Sequence, residues 1–320
     1  MSRIRDFITR KGGRLLALAG VAAVQLAPVP AHAFGTIGLL GQDHEHQKIT
    51  RMALAGAGFG KVTMDRLAGT AWRFGAVGSA DAPWHGLVYA SEAHCDNGDY
   101  IATSGYPDRK AAAADALARC RDNIRKHLAK AVTYAGGVTD TSGLGLDCDF
   151  NPSHEATGRC RVLLELGLAF HTTQDFYAHT NWVDAVRAGP VSLADPQGLG
   201  QTGPAPWLVP DAASDMPDGL ISGCWEGMVT GLRCRGRIDH GALNKDTGAI
   251  DMAAMPPAIG DGTTRRSRDG AFRLAVEAAR DDTLTKWTWF QEQVVVAYGQ
   301  ARGAQILCLI VNDAPSACKA

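Results

Sequence analysis

The chain has 320 residues, a formal net charge of −1, 46% hydrophobic residues and eight cysteines. That length suffices for one sizeable core, and the balanced charge argues against a strongly basic nucleic-acid-binding protein. No segment offers the ~20 uninterrupted apolar residues a membrane-spanning helix requires.

Residues 1–33 read as a secretory signal. Arg3, Arg5, Arg10, Lys11 and Arg14 form a positive region, Leu15 to Leu26 a short apolar one, and Ala31-His32-Ala33 a small-residue cleavage site. Cleavage yields a secreted or periplasmic chain beginning at Phe34. It removes five of the 32 basic and one of the 33 acidic residues, leaving a net charge of −5. Cys95, Cys120, Cys148, Cys160, Cys224, Cys234, Cys308 and Cys318 all follow the cleavage site. An even number in an exported chain implies disulfides. Eight cysteines allow about 105 pairings, among which sequence does not choose; the guess taken here joins sequence neighbours, Cys95 to Cys120, Cys148 to Cys160, Cys224 to Cys234, and Cys308 to Cys318. No Cys-x-x-Cys spacing occurs, which argues against cysteine-ligated zinc.

From 34 to 320 the pattern predicts a single all-α domain. Helical periodicity appears at Glu45 to Leu54, Arg109 to Tyr134, Gly158 to Val186, and Arg268 to about Ile310. Gly136-Gly137 stops the second, and Gly299 and Gly303 are candidate breaks in the last. Between Gly189 and Thr264, prolines, glycines and aspartates predict an irregular loop region pinned by Cys224 and Cys234. A loop region of that length is usually functional or disordered. Trp207 and Trp225 read as packed loop anchors, with a cover over a site or a lipid contact as alternatives. The short basic run Arg265-Arg266-Ser-Arg268 reads as a solvated helix start.

The third helix carries His171-Thr-Thr-Gln-Asp175-Phe-Tyr-Ala-His179. At about 100° per residue, positions i, i+4 and i+8 share one face. The preceding run, Arg161 to Phe170, is continuously apolar, so the sequence predicts that His171, Asp175 and His179 point inward, where polar groups need partners. A set of core histidines paired with an aspartate is the plain reading of any one of them. Three ligand-type side chains on one buried face favour a metal site.

Other segments must complete such a site. In Asp43-His44-Glu45-His46, His46 shares a stripe with Ile49 and Ala53, and His44 is left as a polar-surface residue. Asp81 and His94, each in an acid-rich loop, are the next candidates. His127 and His240 read as surface residues. Carboxylate oxygens with imidazole nitrogens and no thiolate suit zinc, with manganese or iron as alternatives. An aspartate between two histidines can bridge two ions, and paired ions favour hydrolysis over redox chemistry.

At these residues the chain resembles the Het-C heterokaryon-incompatibility family and the amino-terminal domains of some von Willebrand factor A proteins. Their His-x-x-x-Asp-Phe-Tyr-x-His-x-Asn-Trp-Val stretch is matched by His171, Asp175, Phe176, Tyr177, His179, Asn181, Trp182 and Val183. Ala33-Phe34-Gly35 is similar to the processed start of those proteins. His94-Cys95-Asp96-Asn97 is similar to their His-Phe-Asp-Asn element, with Cys replacing Phe. More distantly the arrangement is similar to zinc-dependent phospholipase C and the single-strand-specific zinc nucleases.

That resemblance implies an all-α fold of the zinc-dependent phospholipase C type with disulfide-tied loops, and two or three zinc ions. It implies Phe34 and His46 at one ion, Asp81, His94 and His171 at another, Asp175 bridging, and His179 at a third. Asp184, Glu155 and Glu226 are the candidate acidic partners of His179. The implied activity is phosphoester hydrolysis, acting on a phospholipid or another phosphoester with Asp81 and Asp175 as catalytic residues and peripheral membrane contact; a nucleic-acid partner is argued against by the charge balance alone, which leaves a small single-stranded substrate in a metal cleft open. Het-C membership equally implies a non-enzymatic, self-assembling or membrane-active antagonism factor with a structural metal cluster. An exported helical binding protein without metal is the third reading.

Overall fold

The computed structural model describes residues 34–38, 42–139, 144–151, 158–211, 213–226, 233–262 and 269–318. The signal segment 1–33, Glu155 and the basic run 265–268 lie outside the described residues.

The organising element is α4 (Gly158–His179), in which every residue from Val162 to His179 is buried. An apolar run with no polar stripe has no face to offer water, so neighbours enclose it. Those neighbours are α3 (Lys110–Ala135), α5 (Ala271–Tyr298) and the 3-10 turn Val77–Ala80, with α1 (Glu45–Ala53) meeting α4 at Gln174 and Asp175 and α2 (Lys61–Ala68) meeting it at Arg159. Leu163, Leu166, Phe170 and Phe176 of α4 join Ile124 and Leu128 of α3 and Val276, Trp287 and Phe290 of α5 in one apolar cluster. A smaller cluster, Ile221, Ile238 and Leu243, holds the loop region together.

Several elements differ from the sequence expectation. The helix predicted to Val186 ends at His179, because the chain beyond it is claimed by the loops. Asn181 donates from Nδ2 to Gln197 O and Gly219 O, and its Oδ1 accepts Ile221 N–H. Trp182 O then accepts Gln201 N–H. These bonds satisfy backbone and amide groups that two further helical turns would have left exposed. The last predicted helix breaks at Gly299 (φ 79°) into α5 and α6 (Gln300–Val311), while Gly303 lies inside α6.

The all-α expectation is corrected by a two-stranded antiparallel sheet, β1 (Gly248–Asp251) and β2 (Ala258–Gly262), which makes the architecture mixed rather than purely helical. It pairs Ile250 with Ile259 and lies against α5, where Gly248 meets the Phe272 ring so closely that a Cβ would fall 2.4 Å from it. The prolines and glycines of 189–264 do exclude long elements, but a short hairpin needs few residues.

All four disulfides join sequence neighbours as expected: Cys95–Cys120, Cys148–Cys160, Cys224–Cys234 and Cys308–Cys318. Four disulfides and no free cysteine fit an oxidising compartment. Among the described residues no helix is long and apolar enough to cross a membrane.

Candidate metal centre

His171, Asp175 and His179 lie one turn apart along α4 and are buried to 1% exposure or less. What they face depends on Gly167, one turn before His171. Its missing Cβ lets the Ala76 backbone approach so closely that an added Cβ would lie 2.4 Å from the Ala76 carbonyl carbon. The next residue, Val77, thereby presents its carbonyl oxygen to His171 Nδ1 at 3.0 Å.

The hydrogen bonds around the ring nitrogens fix which of them carry protons. Thr50 Oγ1 donates to His46 O at 2.8 Å and Thr283 Oγ1 to Ala279 O at 2.7 Å, so both hydroxyl oxygens are left as acceptors. The Gln174 amide nitrogen donates to both, at 3.0 and 3.1 Å. That turns Gln174 Oε1 toward His46, where it accepts Nδ1–H at 2.7 Å. His46 Nε2 is then a lone pair aimed at Asp175 Oδ1, 3.1 Å away, and among the described residues neither atom has a hydrogen-bond partner. By the same logic His171 gives Nδ1–H to Val77 O, and His94 gives Nε2–H to Leu87 O at 3.3 Å. His171 Nε2 and His94 Nδ1 therefore turn their lone pairs to each other at 3.1 Å and to Asp175 Oδ2 at 3.0 and 2.9 Å.

Three imidazole lone pairs thus converge on one buried carboxylate, and among the described residues no lysine or arginine forms an ion pair with it. Acceptors facing acceptors at about 3 Å in a dry interior repel unless a cation lies between them. Each histidine has its other nitrogen held by an oxygen, the arrangement that orients imidazoles on a metal. In the metal-free chain, protons must play that part. Burial pushes the Asp175 carboxyl up, but His171, His46 and His179 together hold it well below the usual range. Burial likewise pushes His94 down, and its bond to Asp175 with the charges of Asp175, Asp81 and Asp96 outweighs that and raises it.

Among the described residues, ligand atoms gather in three groups: His46, His171 and Asp175; Asp81, His94 and His171; and Asp96, His179 and His240. His171 belongs to the first two, and Asp175 touches ligands of both. Asp81 Oδ1 lies 3.8 Å from His171 Nε2 and 4.0 Å from His94 Nδ1, and its other oxygen accepts the Thr36 hydroxyl. Its side chain is 11% exposed, the most open in these two groups. Phe34 is fully buried with its ring edge-on to His46 at 5.9 Å.

The third group contains what the sequence reading missed. His240 is 3% exposed rather than on the surface, and its Nδ1 lies 3.0 Å from Asp96 Oδ1. His179 Nδ1 donates to His94 O at 2.7 Å and Nε2 meets Asp246 Oδ1 at 3.0 Å, so Asp246 is its acidic partner. Asp184 instead binds Lys245 at 3.0 Å, and Glu226 accepts the N–H groups of Arg233 and Cys234. Burial pushes Asp96 up, but His240 and His179 outweigh it and bring it to about 2. The signal available in sequence was His240-x-x-x-Asn244-x-Asp246, three polar side chains within one short loop. Asn244 accepts Asp246 N–H at 2.8 Å and its Nδ2 contacts His240 Nε2 at 3.0 Å, so each ring nitrogen here has a partner. The third group is satisfied as a hydrogen-bonded network; the first is not. Trp225 covers it, ring to ring with His240 at 5.3 Å, whereas Trp207 is a core residue under Arg121. His127 is also buried, bonded to Glu165 at 2.5 Å, and belongs to none of the three groups.

His94 and Asp96 serve different groups although one residue separates them. Cys95 (φ 57°), between the two, adopts the left-handed region and turns their side chains apart, and Asn97 (φ 69°), just beyond, adopts it too. The Cys95–Cys120 bridge and a 2.8 Å bond from Asn97 N–H to Gly223 O hold that conformation.

The 77–82 segment also walls a cleft of about 280 Å³: Val77 O and Asp81 face the ligand groups, while Ser79 and Ala82 line the cleft. No family model, curated protein or solved structure matches the chain.

Proposed function

We propose that the protein is an exported, zinc-dependent phosphoester hydrolase of the phospholipase C-like kind, with zinc at the first two ligand groups. One observation carries this reading: His46 Nε2, His94 Nδ1, His171 Nε2 and both oxygens of Asp175 converge, and among the described residues no lysine or arginine pairs with that carboxylate. Imidazole and carboxylate without thiolate favour zinc among common metals.

His46, His171 and Asp175 would hold one ion, with the amine of a processed Phe34 as a further ligand. Asp81, His94 and His171 would hold the second, with Asp175 shared. Bound ions there supply Lewis acidity and make a water acidic enough to serve as nucleophile near neutral pH. The chain's own contribution is orientation. Gln174, Val77 O and Leu87 O fix the three imidazoles, and the buried α4 face excludes water from the far side. Asp81, the most open carboxylate of the two groups, is the one that would take a proton if it does not itself bind the second ion. The oxidising environment implied by four disulfides and the signal-like residues 1–33 support export.

The third group favours a different role. Its ligands are closed off and mutually hydrogen-bonded, which suits a structural site, third ion or none, better than a catalytic one with an exchangeable position. Extending that closure to the whole cluster gives the competing reading, a non-enzymatic Het-C-like factor with a structural metal cluster.

Turnover of a soluble chromogenic phosphodiester by zinc-loaded protein tests the first reading, with Asp81→Asn as the variant. Activity that the variant loses while retaining its melting temperature supports it. A correctly folded, zinc-loaded protein that turns over no phosphoester removes the hydrolase and leaves the structural cluster.

A further inference from the structure

The cleft beside the 77–82 segment has a rim that folding does not explain. Trp72 is 95% exposed at the tip of a tight turn closed by two backbone bonds between Thr70 and Arg73, at 2.9 and 3.0 Å. Trp84 is 68% exposed, its ring edge-on to Phe74 at 5.3 Å. Arg66 and Arg73 line the same cleft, and among the described residues neither guanidinium is in an ion pair. Asp65 in that cleft is already engaged by Arg51 at 2.7 Å and Lys61 at 2.6 Å.

Exposed apolar residues are ordinary when scattered, but two large indoles on one cleft beside two unpaired arginines are not. An indole has an apolar body and one N–H, which suits the boundary between lipid and water. Guanidinium groups bind phosphate oxygens through paired N–H donors, and anionic head groups supply those oxygens on an extended surface. The Thr70–Arg73 turn is already ordered, so seating Trp72 costs little conformational freedom.

We propose that this rim docks the protein on an anionic phospholipid surface. Trp72 and Trp84 sit at head-group level and Arg66 and Arg73 on lipid phosphates. The mature chain carries a net charge of −5 and the cleft lining includes Asp149 as well as Asp65, so the attraction rests on Arg66 and Arg73 with Arg51 and Lys61 offsetting Asp65, and docking is salt-sensitive. The docking stands independently of catalysis; its functional consequence, holding a lipid surface against the 77–82 segment whose Asp81 faces the ligand groups, rests on the hydrolase reading.

Co-sedimentation with unilamellar vesicles of phosphatidylcholine, alone or mixed with phosphatidylglycerol, tests the proposal. The expected result is partition onto the mixed vesicles that falls with added salt. It should weaken about ten-fold or more in Trp72→Ala/Trp84→Ala and lose its preference for anionic lipid in Arg66→Gln/Arg73→Gln. Quenching of indole fluorescence by brominated acyl chains should also drop in the tryptophan variant, and melting curves verify that both variants fold. Equal partition of wild type and folded variants, or no partition at all, overturns the proposal. So does self-association in sedimentation velocity that the tryptophan variant abolishes without any vesicle binding, because the rim then belongs to a second copy. Vesicle binding without phosphoester turnover keeps the docking and removes the hydrolase; turnover of soluble phosphodiester without vesicle binding does the reverse.

Discussion

Gly167→Ala probes the link between helix packing and the ligand groups. The added methyl would stand 2.4, 2.5 and 2.6 Å from the carbonyl carbon, Cβ and carbonyl oxygen of Ala76, a residue with no exposed surface. Two of those atoms are backbone, so no rotamer change relieves the contact, and segment 76–81 must retreat from α4 by about 1 Å. Overpacking of that kind costs about 1–3 kcal/mol. The retreat also lengthens the 3.0 Å bond that orients His171 and draws Asp81 away from His94 and His171. Loss of such an orienting partner lowers metal affinity about 10–100-fold. Urea unfolding of metal-free protein measures the first effect and competition against a zinc chelator the second. Gly56→Ala, where an added methyl meets nothing within 4 Å, is the control. A Gly167→Ala protein that binds zinc as tightly as wild type would refute the claim that this close approach shapes the site.

Gln174→Leu removes the acceptor that fixes the His46 tautomer, and zinc affinity should fall about 10–100-fold in chelator competition while the helical circular dichroism signal persists. Unchanged affinity would show that His46 is oriented by other means. Cys95→Ala/Cys120→Ala opens a bridge between residues 25 apart, worth about 3.5 kcal/mol on the chain-entropy model. Because the bridge holds the turn between His94 and Asp96, zinc stoichiometry should fall as well; full stoichiometry would contradict that. Asp313→Ala removes the carboxylate that accepts Val62 and Thr63 N–H at 2.9 and 2.8 Å over the start of α2, at a cost of about 0.5–2 kcal/mol. Burial pushes the Asp313 carboxyl up, but those donors outweigh it and lower it, so its contribution is complete above the unfolded value near ~4 and fades as pH falls through the folded one. The melting-temperature gap between wild type and variant should therefore narrow in acid, and a gap that widens there would be wrong for this cap.

What could be read in the sequence was set by local physics. The one-face spacing of His171, Asp175 and His179 within an apolar run, the stripe beginning at His46, and cysteines paired with their neighbours all depend on residues close in the chain. What could not be read depends on distant partners. The α2 helix has Gly60 at its amino end and takes its cap from Asp313, 250 residues away, so no local start signal marks it. The end of α4 is decided by Asn181 bonding to 197–221. His240 and Asp246 lie in a loop that reaches His179 through the small cluster of Ile221, Ile238 and Leu243 and through Cys224, whose N–H binds Ile238 O at 2.8 Å. His127 looked solvated on an alanine-rich helix because its partner, Glu165, lies on another helix. The β1–β2 hairpin is too short for an alternation pattern to emerge from its glycines.

Mass-spectrometric metal content of protein beginning at Phe34, measured beside Asp175→Asn, decides whether the converging imidazoles and carboxylates hold metal. Two or more zinc equivalents are expected in the wild type, with both of the first two ligand groups depleted in the variant because Asp175 contacts each. No bound metal in the folded wild type after zinc is supplied would contradict that expectation, and would leave His46, His94, His171 and Asp175 as a proton-balanced polar core.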